Sequence, residues 1–256
     1  MTTVRRITAP LGAATAAVAL ALAAGCGGGS AATTATTTAP TTTSTTAPAE
    51  GDRAPQPAEA TSQVARSDGE VAVFAAPGDE QPATVLPATT EFGSPRALLV
   101  LADEGEWLEV ALPERPNGST GWIRRDAVEL RSIDESIAID VAARTLTLRD
   151  GGTEVLTTPV AVGTDANPTP TGAFYVVDKL DTGDPGGPYG QFALGLSAHS
   201  DVLTEFAGGD GQVGIHGTDD PASIGQAVSH GCVRVPNDVA QVLSETVNLG
   251  TPVVIS

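Results

Sequence analysis

At 256 residues the chain has room for one or two globular domains, and 31 acidic residues against 13 basic ones leave a formal charge of −18. So negative a balance argues against nucleic-acid binding, which depends on basic contacts to phosphates. The apolar content of 41% supports a core, whereas 29 glycines, 19 prolines and 4% aromatics favour short strands and turns over long helices. Two cysteines, Cys26 and Cys232, exclude a disulfide scaffold.

In chain order, the first element is an address. Arg5 and Arg6 precede a stretch, Ile7 to Ala24, with no charged residue. Pro10 and the short span predict a signal-peptide core and not a transmembrane helix, which needs about 20 apolar residues. The segment Leu22-Ala-Ala-Gly-Cys26 resembles a bacterial lipobox, with Ala23 where Leu is commonest; the resemblance implies cleavage before Cys26 and a lipid on its thiol. Ordinary secretion with cleavage near Ala24 is the alternative. Residues 1–26 are therefore read as a lipoprotein-type signal peptide and residues 27–63, rich in Thr, Ala, Pro and Gly, as a disordered tether. Such a composition cannot offset the entropy of ordering itself. About 35 residues, if extended, reach roughly 100 Å.

Residues 64–131 alternate short apolar runs with turn formers: V-A-V-F from Val71, A-L-L-V-L at Ala97 to Leu101, W-L-E-V at Trp107 to Val110, and G-W-I-R at Gly121 to Arg124. Five or so strands in so short a span predict a small barrel. The pattern E-W-L-E-V followed by N-G-S-T-G-W-I resembles a bacterial SH3-type domain. Trp107 and Trp122 read as core filling, with an aromatic groove as the other reading.

Residues 132–256 carry 16 acidic and 4 basic residues, a net −12. S-I-A-I-D-V and T-L-T-L-R-D alternate as half-buried strands, Gly151-Gly152 turns the chain into V-L-T-T-P-V-A-V, and A-F-Y-V-V reads as a further strand. Gly183 to Gly190, too rich in Gly and Pro for regular structure, is a candidate lid or rim loop. One helix is predicted, capped by Asn237, with Val239, Val242, Leu243 and Val247 at helical spacing and Gly250 as its stop. The expected class is mainly β with one or two short helices.

The chemistry concentrates in I-H-G-T-D-D-P-A-S-I-G-Q-A-V-S-H-G-C-V-R-V, Ile215 to Val235, which holds two of the three histidines and Cys232. Thiol acyl transfer needs a thiolate, an imidazole to take its proton, and backbone N–H groups for the oxyanion. Cys232, with His216 or His230, supplies the first two. Gly231 removes a Cβ beside the thiol, so a carbonyl can reach the amides of Gly231 and Cys232. Residue types alone leave two other readings open: an inert buried Cys, and a metal site built from His216, His230, Cys232 and an Asp such as Asp219, although His-x-Cys is not a usual zinc spacing.

H-G-T followed by S-H-G-C-V-R-V resembles the signature of the L,D-transpeptidase (YkuD-type) catalytic domain. T-P-T-G-A-F at Thr169 to Phe174 and the closing G-T-P-V-V-I fit the same family, so the resemblance spans residues 132–256. It implies Cys232 as nucleophile and His216 as general base and acid. It implies Ser229, His230 and Gly231 as loop and oxyanion support, and Arg234, Gly217 and Thr218 at the substrate. The reaction it implies is cross-linking of peptidoglycan stem peptides through a thioester, without metal or cofactor. The enzyme would be lipid-anchored on the outer face of the bacterial membrane. A peptidoglycan-binding lipoprotein without turnover, an L,D-carboxypeptidase, and an enzyme attaching D-amino acids or protein to the stem are the alternatives.

Overall fold

Alternating apolar and polar side chains set most of the strands. The computed structural model describes residues 61–205 and 209–256; the expected signal peptide, Cys26 and all but the last residues of the tether lie outside them. Five antiparallel strands form a first sheet in the order Thr120–Arg124, Trp107–Ala111, Ala97–Asp103, Ser62–Arg66, Glu129–Ile133. A hairpin of Val71–Val73 with Thr84–Leu86 lies beside it, tied through Phe74 to Trp122. Trp107 is buried, edge-on to Phe74 at 5.1 Å between ring centres.

A second sheet of eight strands runs Thr153–Pro159, Thr145–Asp150, Glu135–Asp140, Pro252–Ile255, Gly172–Asp181, Phe192–His199, Gln212–His216, Val233–Arg234. At its outer end the sequence pattern reads directly. Ile137 and Ile139 face Leu148 and Leu146 across an antiparallel pair, all four buried. Gly151 and Gly152, both at positive φ, make the two-residue turn that returns the chain into Thr153–Pro159. Two pairings are parallel: Pro252–Ile255 with Glu135–Asp140, and Gln212–His216 with Val233–Arg234. The protein is mainly β, with one α-helix among the described residues.

The strand Gly172–Asp181 is buried on both faces. Phe174 and Val176 join the core of the eight-stranded sheet, with Leu196, Ile215, Leu243 and Val253. Tyr175 and Val177 point the other way, into the core of the first sheet with Leu98, Leu108 and Ile123. Tyr175 also donates its hydroxyl hydrogen to the carbonyl of Ala111, and burial drives its phenol strongly towards the neutral form. In return, Val64 and Ala97 of the first sheet pack in the second core. Gly250, at φ 92°, lies so close to Val64 that a Cβ there would sit 2.5 Å from its methyl carbons. The expected boundary between residues 131 and 132 falls within the strand Glu129–Ile133.

The helix runs Asn237–Thr246 and buries Ala240 and Leu243, while Val242 faces outward. Asn237 does not cap it. Pro236 occupies the cap position without a side-chain bond, and Asn237 is the first helical residue. Its amide reaches back to the segment after His216, accepting from the N–H of Thr218 at 2.7 Å and donating to the carbonyl of Thr218 at 3.0 Å.

Candidate active site

The parallel pair Gln212–His216 and Val233–Arg234 brings the two halves of the chemistry-rich segment side by side. Ile215 pairs with Val233, which sets Gly214 opposite Cys232. The Gly214 N–H donates to the Cys232 sulfur at 3.4 Å. His216 ends the strand, 5% exposed. Its Nδ1 lies 2.6 Å from the carbonyl of Gly217. A carbonyl only accepts, so Nδ1 carries the proton and Nε2 of the neutral ring keeps a lone pair. Tyr189, from the irregular Gly183–Gly190 segment, lies edge-on against the imidazole with ring centres 4.8 Å apart.

Cys232, His216, Gly214 and Tyr189 share the wall of one cavity of about 500 Å³. His230 is exposed, outside this wall. Ser229 closes the turn before the thiol: its Oγ donates to the carbonyl of Cys232 at 2.6 Å and accepts from the N–H of Gly231 at 3.1 Å. Gly231 stands at φ 119°, a conformation that suits glycine. Its amide is thereby engaged, contrary to the expectation that it would face a substrate carbonyl.

Gly217, Thr218 and Arg234 are not among the cavity's lining residues; they stand behind the pair. Gly217 supplies the carbonyl that fixes the His216 tautomer. A Cβ on Gly217 would come within 2.2 Å of the Asn237 side-chain oxygen, so the close approach requires glycine. Thr218 is buried and held by Asn237. Arg234 exchanges two backbone hydrogen bonds with Ala161 at 2.9 Å. Losing the Asn237 clamp is expected to loosen His216: Asn237→Ala should destabilise the fold by about 1–3 kcal/mol, at roughly 1 kcal/mol per hydrogen bond. A urea midpoint shift checks this.

Burial pushes the Cys232 thiol up, opposed by the Gly214 N–H and by the Arg234 charge. Burial pushes His216 down to about 4; the bond to Gly217 opposes the shift and the Arg234 charge adds to it. At neutral pH the resting pair is a thiol beside a neutral imidazole. The shift has a stability consequence. Between the ordinary value of 6.5 and about 4, an unfolded chain binds a proton at His216 that the folded one refuses. Stability is therefore full above 6.5 and falls as the pH drops through that window, by up to about 3 kcal/mol at 1.4 kcal/mol per pH unit. Urea unfolding at pH 7 and pH 4 should show that loss, and His216→Gln should remove this part of it.

A thiol at the start of one strand and a tautomer-fixed imidazole at the end of its neighbour thus face one cavity. Residues 134–255 match the family model of YkuD, the L,D-transpeptidase catalytic domain. The YkuD protein of Bacillus subtilis strain 168, provisionally named an L,D-transpeptidase, is 40% identical over 125 residues, covering 49% of this chain and 68% of that one. The Bacillus licheniformis protein of the same name is 38% identical over 125 residues, covering 49% of this chain and 67% of that one. An L,D-transpeptidase structure from Mycobacterium smegmatis overlays with a TM-score of 0.40 and 19% identity, over 62% of this chain and 90% of that one. The chain belongs to the YkuD-type L,D-transpeptidase family.

Proposed function

We propose that the protein is a peptidoglycan L,D-transpeptidase with Cys232 as nucleophile and His216 as base and acid. The observation that carries this reading is the lone pair left on His216 Nε2 by the Nδ1 bond to Gly217, in the same cavity as the thiol. His216 takes the Sγ proton as the sulfur attacks the carbonyl between the third residue and the terminal D-Ala of a stem tetrapeptide. The C–N bond breaks, the D-Ala amine leaves with the proton from His216, and a thioester holds the tripeptide. An amine on the third residue of a neighbouring stem then attacks the thioester, gives its proton to His216, and releases the sulfur, which recovers that proton. The product is a 3→3 cross-link. The Gly214 N–H stabilises the thiolate as it forms, and the N–H of Cys232 itself serves the oxyanion.

Incubation with a purified tetrapeptide stem tests the reading: free D-Ala should appear together with a dimer one D-Ala lighter than two stems. Release of D-Ala with tripeptide alone would make water the acceptor, and no release at all would overturn the proposal.

We also propose that Cys26 carries the membrane anchor. Two acyl chains suffice for stable attachment, each buried CH₂ contributing about 0.8 kcal/mol. Cys26→Ala protein should leave the membrane fraction and appear in the medium; unchanged partition would remove the anchor from the account.

A further inference from the structure

We propose that the first sheet completes the substrate site, through a turn whose Glu91 receives a cationic amine of the ligand. The proposal rests on the reading of the Cys232 cavity as a peptide site and names the charge that the peptide brings.

Residues 90–93 form a tight turn: the N–H of Gly93 donates to the carbonyl of Thr90 at 3.0 Å, and Gly93 adopts φ 84°. Glu91 and Phe92 are its two central residues, and both line the cavity that contains Cys232 and His216. The turn is held from both ends. The Thr90 hydroxyl donates to the buried carboxylate of Asp178 on the strand Gly172–Asp181. The guanidinium of Arg96 donates to the carbonyls of Pro87 and Thr89 at 3.0 Å each. A turn fixed so closely presents its side chains without further ordering cost. Phe92 is 53% exposed although it is a large apolar residue, as a wall waiting for a ligand would be.

The charge at this wall is one-sided. Among the described residues that line the cavity, Glu91 and Asp210 are the carboxylates and none is a lysine or arginine. Asp210 is engaged by His199 Nε2 at 2.9 Å and by the N–H of Gln212 at 3.2 Å. The Glu91 side chain has no hydrogen bond or ion pair among the described residues. A second, independent sign lies behind it. A smaller cavity of about 210 Å³ shares Glu91, Asp210 and Gln212 with the first and is lined by His199, Asp178 and Arg96. His199 is 4% exposed, and its Nδ1 is buried without a partner. Arg96, which also lines this corner, is committed through Nε and one terminal nitrogen to the carbonyls of Pro87 and Thr89. An ammonium, with three donors and a positive charge, fits the unengaged Glu91 carboxylate; a carboxylate or phosphate does not.

Arg115 fixes the segment next to this corner. Its guanidinium donates to the carbonyls of Ser200, Leu203 and Asp210 at 2.7, 3.2 and 2.7 Å, so the first sheet also holds the segment that bears Asp210.

The test uses the full chain carrying Cys232→Ala, which binds without turnover, and two tetrapeptide stems with lysine third, its side-chain amine free in one and acetylated in the other. Calorimetry should give the free-amine peptide an affinity about fivefold higher. Glu91→Gln should bring the ratio close to one, and Glu91→Asp should restore part of it. Equal affinities in the parent, or a ratio that survives Glu91→Gln, would overturn the assignment of Glu91 while leaving the enzyme reading intact. Failure of both peptides to bind would overturn the peptide site itself and Glu91 with it.

Discussion

Replacing His216 with alanine is expected to slow acylation of Cys232 by about 10²- to 10⁴-fold, the usual contribution of a general base. Chain proximity favours His230, two residues from the thiol, but His230 is exposed, whereas His216 shares the cavity with Cys232. His230→Arg removes any possibility of proton acceptance at that position, because Arg stays protonated, and it should keep a measurable part of the rate. Cys232→Ser should abolish acylation. The rate against pH separates the roles. In the parent it should fall as the pH drops through about 4, where His216 takes up its proton. In His216→Ala that acid limb should vanish, and the residual rate should rise with pH as the thiol ionises unaided. A His216→Ala protein that acylates like the parent, with an inert His230→Arg protein, would reverse the two roles.

Removing residues before Ser132 is expected to unfold the remainder, although its strands, helix and site residues read as a complete unit. The strand Gly172–Asp181 would expose Tyr175 and Val177 to water, and the second core would lose Val64 and Ala97. A narrower change probes the same junction. Tyr175→Ala deletes a fully buried ring between the two sheets and should cost about 3–5 kcal/mol, as large aromatic truncations do. For a domain of this size that lowers the melting temperature by roughly 10 °C. Cooperative melting of the shortened protein at the parent's temperature would show that the two sheets fold independently.

The sequence was most legible where one residue pattern has one structural outcome. T-L-T-L-R-D and the Gly-Gly turn read as a hairpin because alternation and positive φ leave little else. The family resemblance implied the roles of His216 and Cys232 but not the parallel pairing that brings them together, since no local signal dictates which strands become neighbours. A-F-Y-V-V reads as a strand, but a continuous apolar run does not say what covers its second face; here that is another sheet. Asn237 has the right type and place for a cap, yet its side chain finds stronger use on both polar groups of Thr218. Gly214 contributes through its backbone N–H, which no side-chain pattern announces. Glu91 was illegible for a different reason: its turn is tied to the second sheet by a bond from Thr90 to Asp178, 88 positions further along the chain.

The most direct measurement is intact mass of the full chain after brief incubation with a purified stem tetrapeptide, followed by peptide mapping. The account predicts a mass gain equal to the tetrapeptide less D-Ala, located on Cys232, absent in Cys232→Ala protein and strongly delayed in His216→Ala. An unmodified Cys232 under conditions where D-Ala is released, or an adduct on another residue, would contradict it.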